Sequence, residues 1–327
     1  MDKKVVDIAE DIKSMKIRGA AKIGRTVAEA LKIEAENYKG NDPIKFVSDI
    51  KETARFLIAT RPTAVSLENS LRYVLTELEK GHNDGRDVTS LKKIVSKAAN
   101  DFCENSNRAL EKIAEIGSKR IRDGDVIFVN CNSSVALGII KKAHRDGKKI
   151  KVYANETRPR FQGLLTAKEL LDEGIDVTLI VDSAARLFIK RANHVITGAD
   201  AVAANGAVAN KIGTATLALI AHEARVNFIV AAETYKFNPR TYSGELIEIE
   251  ERDIFEVISK EDYERLKGLK VFPVISGPKP VYWDFRSGLM ILPPSCLCTG
   301  RFLKRRFITL QLTQRIHTSL IAVPTSD

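Results

Sequence analysis

Cysteine and histidine are scarce in this chain of 327 residues, with four of the first and five of the second. The cysteines, Cys103, Cys131, Cys296 and Cys298, fit neither a disulfide framework nor a paired zinc site. Cys296 and Cys298 form a lone C-x-C, which reads as two incidental thiols in a reducing compartment. The histidines are scattered and no H-E-x-x-H occurs, so neither a metal nor another cofactor is expected. Long apolar runs are also missing. No stretch of about 18 uncharged apolar residues exists, which argues against a membrane-spanning helix. The charged, amphipathic first residues lack the apolar centre and cleavage site of a signal peptide, so a cytoplasmic location is expected. Neither G-x-G-x-x-G nor G-x-x-x-x-G-K-[ST] is present, and dinucleotide binding and ATP hydrolysis lose their usual signatures.

What is present is ordinary globular composition, 44% hydrophobic and 29% charged, in a length that suggests two domains. The net charge of +10 is uneven, since residues 270–327 carry +6 of it, including Lys304-Arg305-Arg306. No aromatic–basic interleaving accompanies that excess, so it reads as a solvated face and nucleic acid is not an expected partner.

The first part of the chain has helical periodicity throughout. Val5, Ile8, Ile12 and Met15 open it, and helices are expected over 23–37, 44–59, 66–78 and 88–116, the last long enough to be broken. The pattern changes at Arg122-Asp123-Gly124-Asp125. Short Val/Ile/Phe-rich strands over 126–130, 151–155, 176–181, 194–197 and 227–231 then alternate with helices over 134–146, 163–172, 183–192 and 213–224. The expected fold is α/β: a helical N-terminal domain over 1–118, then a Rossmann-like parallel sheet domain over 119–327. In such sheets ligands bind beyond the carboxyl ends of the strands.

Those ends carry the polar residues. The first reads Asn130-Cys131-Asn132-Ser133-Ser134, where a helix N-terminus favours phosphate and a thiolate at Cys131. Helix capping and a core cysteine fit the same residues. The second, Glu156-Thr157-Arg158-Pro159-Arg160, offers Arg158 to an anion, or is a surface turn with a local ion pair. The third, Asp182-Ser183, reads as a plain helix cap. The fourth is Gly198-Ala199-Asp200, where apolar neighbours would favour a protonated Asp200, although a helix cap is open there too. Asn205-Gly206 then marks a tight turn, and Asn210-Lys211 precedes the next helix. The fifth contributes Lys236. In the helical part, Arg18-Gly19-Ala20-Ala21-Lys22-Ile23 and Arg61-Pro62-Thr63 sit between helices, and from spacing alone they are bland turns.

Taken together in this order, Arg18-Gly19-Ala20, Asn130 to Ser134, Glu156-Thr157-Arg158-Pro159, Gly198-Ala199-Asp200 and Asn205-Gly206 to Gly213 resemble one family. It is shared by ribose-1,5-bisphosphate isomerase, methylthioribose-1-phosphate isomerase and the regulatory subunits of translation initiation factor 2B. The likeness runs from about residue 5 to 270 and is nearest to the archaeal ribose-bisphosphate branch. It implies an aldose–ketose isomerase that makes ribulose 1,5-bisphosphate, with Cys131 and Asp200 as the catalytic pair. The phosphate contacts it implies are residues 18–23, Arg61, Thr63, Ser133, Asn210, Lys211 and Lys236, to which the strand-end reading adds Arg158. It further implies no metal, a homo-oligomer (a hexamer in this branch) and a response to AMP. Methylthioribose-1-phosphate isomerase and a non-catalytic regulatory subunit are the alternatives. The family pattern fades after about Lys270, where the composition changes abruptly toward a basic tail, as a shifted reading frame would produce.

Overall fold

A computed structural model describes residues 1–238, 241 and 253–271, together with the backbone of 288–291. The basic tail, and with it the question of a shifted frame, otherwise lies outside the described residues. The chain divides into two units, Met1–Ala109 and Leu110–Asp327.

The first unit is helical: α1 (Lys3–Lys13), α2 (Ala20–Asn37), α3 (Pro43–Thr60), α4 (Val65–Asn83) and most of α5 (Val88–Ser118). Local chemistry sets the starts. Asp2 caps α1 by accepting from the Lys4 N–H, and Asp42 caps α3 by accepting from Ile44 and Lys45, with Pro43 in the first turn. Gly19, at φ 90°, turns the chain into α2 and lets that helix begin three residues before its expected start. Val5, Ala9 and Ile12 bury one face of α1. Leu31, Phe46, Ile50, Leu57, Leu71 and Leu91 are fully buried, each worth about 1.5–3 kcal/mol relative to exposure. The break considered within residues 88–116 does not occur, because α5 is one continuous helix of 31 residues.

The second unit is built on β1 (Val126–Val129), β2 (Lys151–Asn155), β3 (Asp176–Ile180), β4 (His194–Thr197), β7 (Asn227–Ala231) and β9 (Gly288–Ile291). They form one parallel sheet in the order β3-β2-β1-β4-β7-β9. Alternation along β1 sends Ile127 and Val129 to one face and Phe128 to the other. The first face packs against α6 (Ser134–Arg145) through Val135, Ile139 and Ile140, and against Leu170 of α7 (Gln162–Leu171). The second packs against Leu217 and Ala221 of α9 (Thr214–Ala224) and against Ala185 of the single-turn α8 (Ala185–Phe188). Both faces of the central strands are therefore covered, as a parallel sheet requires.

Two expectations change. The helix expected over 183–192 is a 3-10 turn, α8 and a second 3-10 turn. Asp182, read as its cap, instead accepts with its two carboxylate oxygens from the backbone N–H groups of Thr157 and Arg158. A second, small sheet also appears, with β5 (Ala201–Ala203) between β6 (Val208–Ala209) and β8 (Phe237–Asn238). Asn205 and Gly206 form the β5–β6 turn as expected, with Gly206 at φ 85°.

Candidate active site

The strand order locates the site. From β1 the chain moves outward to β2 and β3, then returns past β1 to β4 and β7. The reversal lies between β1 and β4, and a crevice opens at the carboxyl ends of such a pair. Cys131 follows β1 and Asp200 follows β4. The two loops touch where Ser133 packs on Gly198. A Cβ on Gly198 would stand 2.3 Å from Ser133 Oγ and 3.0 Å from Ser133 Cβ, so only glycine fits beneath that serine. Cys131 and Asp200 each lie two residues from this contact.

Cys131 is half-buried and has φ 66°, an uncommon value for a residue with a side chain. Its N–H donates to Thr157 Oγ1 at 2.8 Å, and its carbonyl accepts from Thr166 Oγ1 at 2.9 Å. Thr166 reaches it because α7 crowds the end of β2, where a Cβ on Gly163 would meet the Asn155 carbonyl oxygen at 1.8 Å. Below the cysteine, Asn130 accepts from Asn155 and Thr157 and donates to Thr214 and the Ile212 carbonyl. Ser133, not Cys131, caps α6, accepting from the Ala136 N–H and keeping its own hydroxyl hydrogen for a ligand.

Asp200 opens the β5–β6 hairpin, its N–H donating to the Ala209 carbonyl, and no helix follows for it to cap. Its side chain is exposed, so the expected apolar shielding is absent from this chain: Ala199 and Ala201 point inward and the aspartate points out. Lys211, just before α9, is 9% exposed, and among the described residues its ammonium has no ion pair or hydrogen bond.

Other expected ligands are already engaged. Asn210 donates both amide hydrogens inward, to Thr197 at 2.8 Å and Thr214 at 3.1 Å. It braces the loop and keeps only its carbonyl oxygen, which cannot donate to a phosphate. Lys236 is buried with its ammonium 2.7 Å from Glu233 Oε2, at ion-pair distance, so its charge is neutralised. Arg158 donates to the Val257 carbonyl at 3.1 Å and lies over the Phe161 ring.

In the helical unit, the starts of α2 and α4 lie together, since Ser66 Oγ donates to the Ala20 carbonyl at 2.9 Å. Arg18, Gly19, Ala20 and Lys22 stand at one of these ends, Arg61 and Thr63 at the other, where helix dipoles favour anions. Ala21 and Ile23 are buried in the helical core, so their side chains are structural.

A family profile described as the Initiation factor 2 subunit family matches residues 16–275. The chain belongs to that family. Within the Initiation factor 2 subunit family it is 49% identical over 284 residues to a ribose 1,5-bisphosphate isomerase of Pyrococcus furiosus, covering 86% of this chain and 88% of that protein. It is 52% identical over 262 residues to the protein of that name from Methanocaldococcus jannaschii, covering 80% and 82%. A methylthioribose-1-phosphate isomerase of Pelotomaculum thermopropionicum is 39% identical, over 77% of this chain and 71% of that one. Among solved structures, a Pyrococcus horikoshii OT3 translation initiation factor eIF-2B superposes with TM-score 0.72 at 32% identity, over 85% of this chain and 91% of that one.

Sequence reasoning missed the contacts of Thr157, Thr166, Asp182 and Glu233 at these strand ends. Thr157 lies inside a recognised block, but nothing in its spacing marks it as the partner of Cys131. Among the described residues, no group of three His, Cys, Asp or Glu is placed to hold a metal, and no helix is long and apolar enough to cross a membrane.

Proposed function

We propose that this chain converts ribose 1,5-bisphosphate to ribulose 1,5-bisphosphate, with Cys131 as base and Asp200 as acid. The observation that carries the reading is the placement of these two residues on either side of the sheet's switch point, joined by the Ser133–Gly198 contact. Identity of about half to archaeal isomerases of that name supports the substrate.

The reaction moves a hydrogen from C2 to C1 of an opened aldose. As thiolate, Cys131 takes the C2 proton and leaves a C1–C2 enol that keeps its phosphate on O1, and the thiol returns the proton to C1. Asp200 gives a proton to the ring oxygen as the ring opens and receives the one from the C2 hydroxyl as the ketone forms. The Asp200 carboxyl is exposed and so open to a bound substrate. Lys211 and the Ser133 hydroxyl are the phosphate ligands on the sheet unit. Within the helical unit, Arg18, Lys22, Arg61, Thr63 and the Gly19-Ala20 backbone are a separate group suited to phosphate. The functional division is kept at 118/119, where α5 ends. A cytoplasmic homo-oligomer responsive to AMP completes the proposal, checked by light scattering and by AMP titration of the rate.

The deciding experiment is turnover of purified protein with ribose 1,5-bisphosphate and, separately, methylthioribose 1-phosphate. Conversion of the bisphosphate, abolished by Cys131→Ser and by Asp200→Asn, is expected. Preference for the methylthio sugar would move the chain to the other isomerase, and turnover of neither would leave a binding protein.

A further inference from the structure

Two residues bearing side chains adopt the left-handed backbone conformation side by side in the crevice: Cys131 at φ 66° and Thr157 at φ 59°. For a β-branched residue such as Thr157 this conformation is a true outlier. Such conformations persist only where the surroundings over-determine them. Here the surroundings are specific. Thr157 is buried, and its N–H donates to Asp182 Oδ1 at 2.9 Å. The next N–H, that of Arg158, donates to Asp182 Oδ2 at 2.8 Å. The carboxylate thus grips two consecutive peptides of the β2 loop from the end of β3. The Thr157 hydroxyl accepts from the Cys131 N–H at 2.8 Å. Its single hydrogen has two acceptors within reach, the Asn155 carbonyl at 3.1 Å and Asn130 Oδ1 at 3.3 Å. With its hydrogen and one of its lone pairs in use, the hydroxyl oxygen is held in place.

We infer that Thr157, clamped by Asp182, is a positioning residue that holds Cys131 in its left-handed conformation for proton transfer. This rests on the reading of Cys131 as base and deepens it. Proton abstraction from carbon tolerates little displacement of the base, and misplacement by about 1 Å costs on the order of 100-fold in rate. A helix cap would have called for Asp182 at the start of its own helix. The observed carboxylate serves a neighbouring loop instead, and through it the cysteine. Thr157 touches the peptide of Cys131, so it shapes the rate without a chemical step of its own.

Thr157→Val keeps the shape and removes the hydroxyl to which the Cys131 N–H donates. Thr157→Ser restores the oxygen, and Asp182→Asn loosens the clamp while leaving Thr157 intact. With ribose 1,5-bisphosphate as substrate, Thr157→Val should lower kcat on the order of 100-fold with KM changed less than about twofold. Thr157→Ser should recover most of that loss, and Asp182→Asn should fall between. Alkylation of Cys131 by iodoacetamide should shift to higher pH in Thr157→Val, as the thiol leaves its place before α6. A merely structural threonine would change stability without moving that profile. Normal kcat and alkylation in both Thr157→Val and Asp182→Asn, with Cys131→Ser inactive, overturns the positioning role alone. Should Thr157→Val fail to fold, a wild-type kcat in Asp182→Asn overturns it equally. Full activity in Cys131→Ser overturns the base itself, and the inference with it.

Discussion

Replacing Glu233 by Gln strands the ammonium of Lys236. The pair stands just beyond β7, with Nζ 2.7 Å from Oε2 and side chains 5% and 0% exposed. Water therefore cannot take over the lost interaction. Removing one partner of a buried ion pair costs about 3–5 kcal/mol, because the remaining charge stays desolvated and uncompensated. Gln keeps the shape and can still accept the Tyr235 hydroxyl, 3.0 Å from Oε1, so the change isolates the charge. Glu233→Gln is expected to lower the free energy of unfolding by about 3–5 kcal/mol. Adding Lys236→Met removes the second charge and should restore most of that loss, since apolar replacement of a whole buried pair is often neutral. Urea denaturation followed by far-UV circular dichroism on the three proteins measures both steps. A single variant within about 0.5 kcal/mol of the parent, the range of an ordinary surface change, refutes the reasoning. So does a double variant less stable than the single.

Gly198→Ala forces a methyl group to within 2.3 Å of Ser133 Oγ. It should cost about 1–3 kcal/mol of overpacking and reduce kcat, since both loops shift; normal stability and rate would deny the close approach. Lys211→Ala should raise KM about 10- to 100-fold, the worth of a charged hydrogen bond of about 1.5–3 kcal/mol, in steady-state kinetics; an unchanged KM removes it from the phosphate site. Burial holds the pKa of His194 below its ordinary value, against the opposing pull of Asp125, 3.2 Å from Nε2. The unfolded chain then binds the proton more readily, so stability is full above about pH 6.5 and falls as pH drops below it. His194→Gln should flatten that fall in urea midpoints measured across the acid range, and an unaltered pH dependence would clear His194 of it.

Much of the architecture was legible because its elements are long enough to carry a period. The strands at 151–155, 194–197 and 227–231 stand where Val, Ile and Phe cluster, and the helices of the first unit follow their apolar faces. The small sheet was not legible, since strands of two or three Ala and Val residues have no period to read. Cys131 and Asp200 were singled out by a rule of position, that ligands gather at strand ends, and given their proposed roles by the family resemblance. Their surroundings were not. The partners of Cys131 come from 26 and 35 residues away, and the Asp182–Thr157 bond spans 25. Adjacency in sequence also misled at Asp200, whose apolar neighbours Ala199 and Ala201 turn away from it into the core.

The same hydrogen-bond bookkeeping separates two lysines that sequence alone treats alike. Lys211 and Lys236 both follow strands that end near the crevice, and both are buried. Lys236 already has a carboxylate at ion-pair distance, so a phosphate reaching it must compete with Glu233 or draw close to a second negative charge. Lys211 has no such partner among the described residues. A dianionic phosphate would meet there an ammonium with no earlier partner to displace among those residues. Loss of Lys236 should therefore register chiefly in unfolding, and loss of Lys211 chiefly in substrate affinity. The two lysines are thus separable by comparing a denaturation curve with a KM on the same pair of variants.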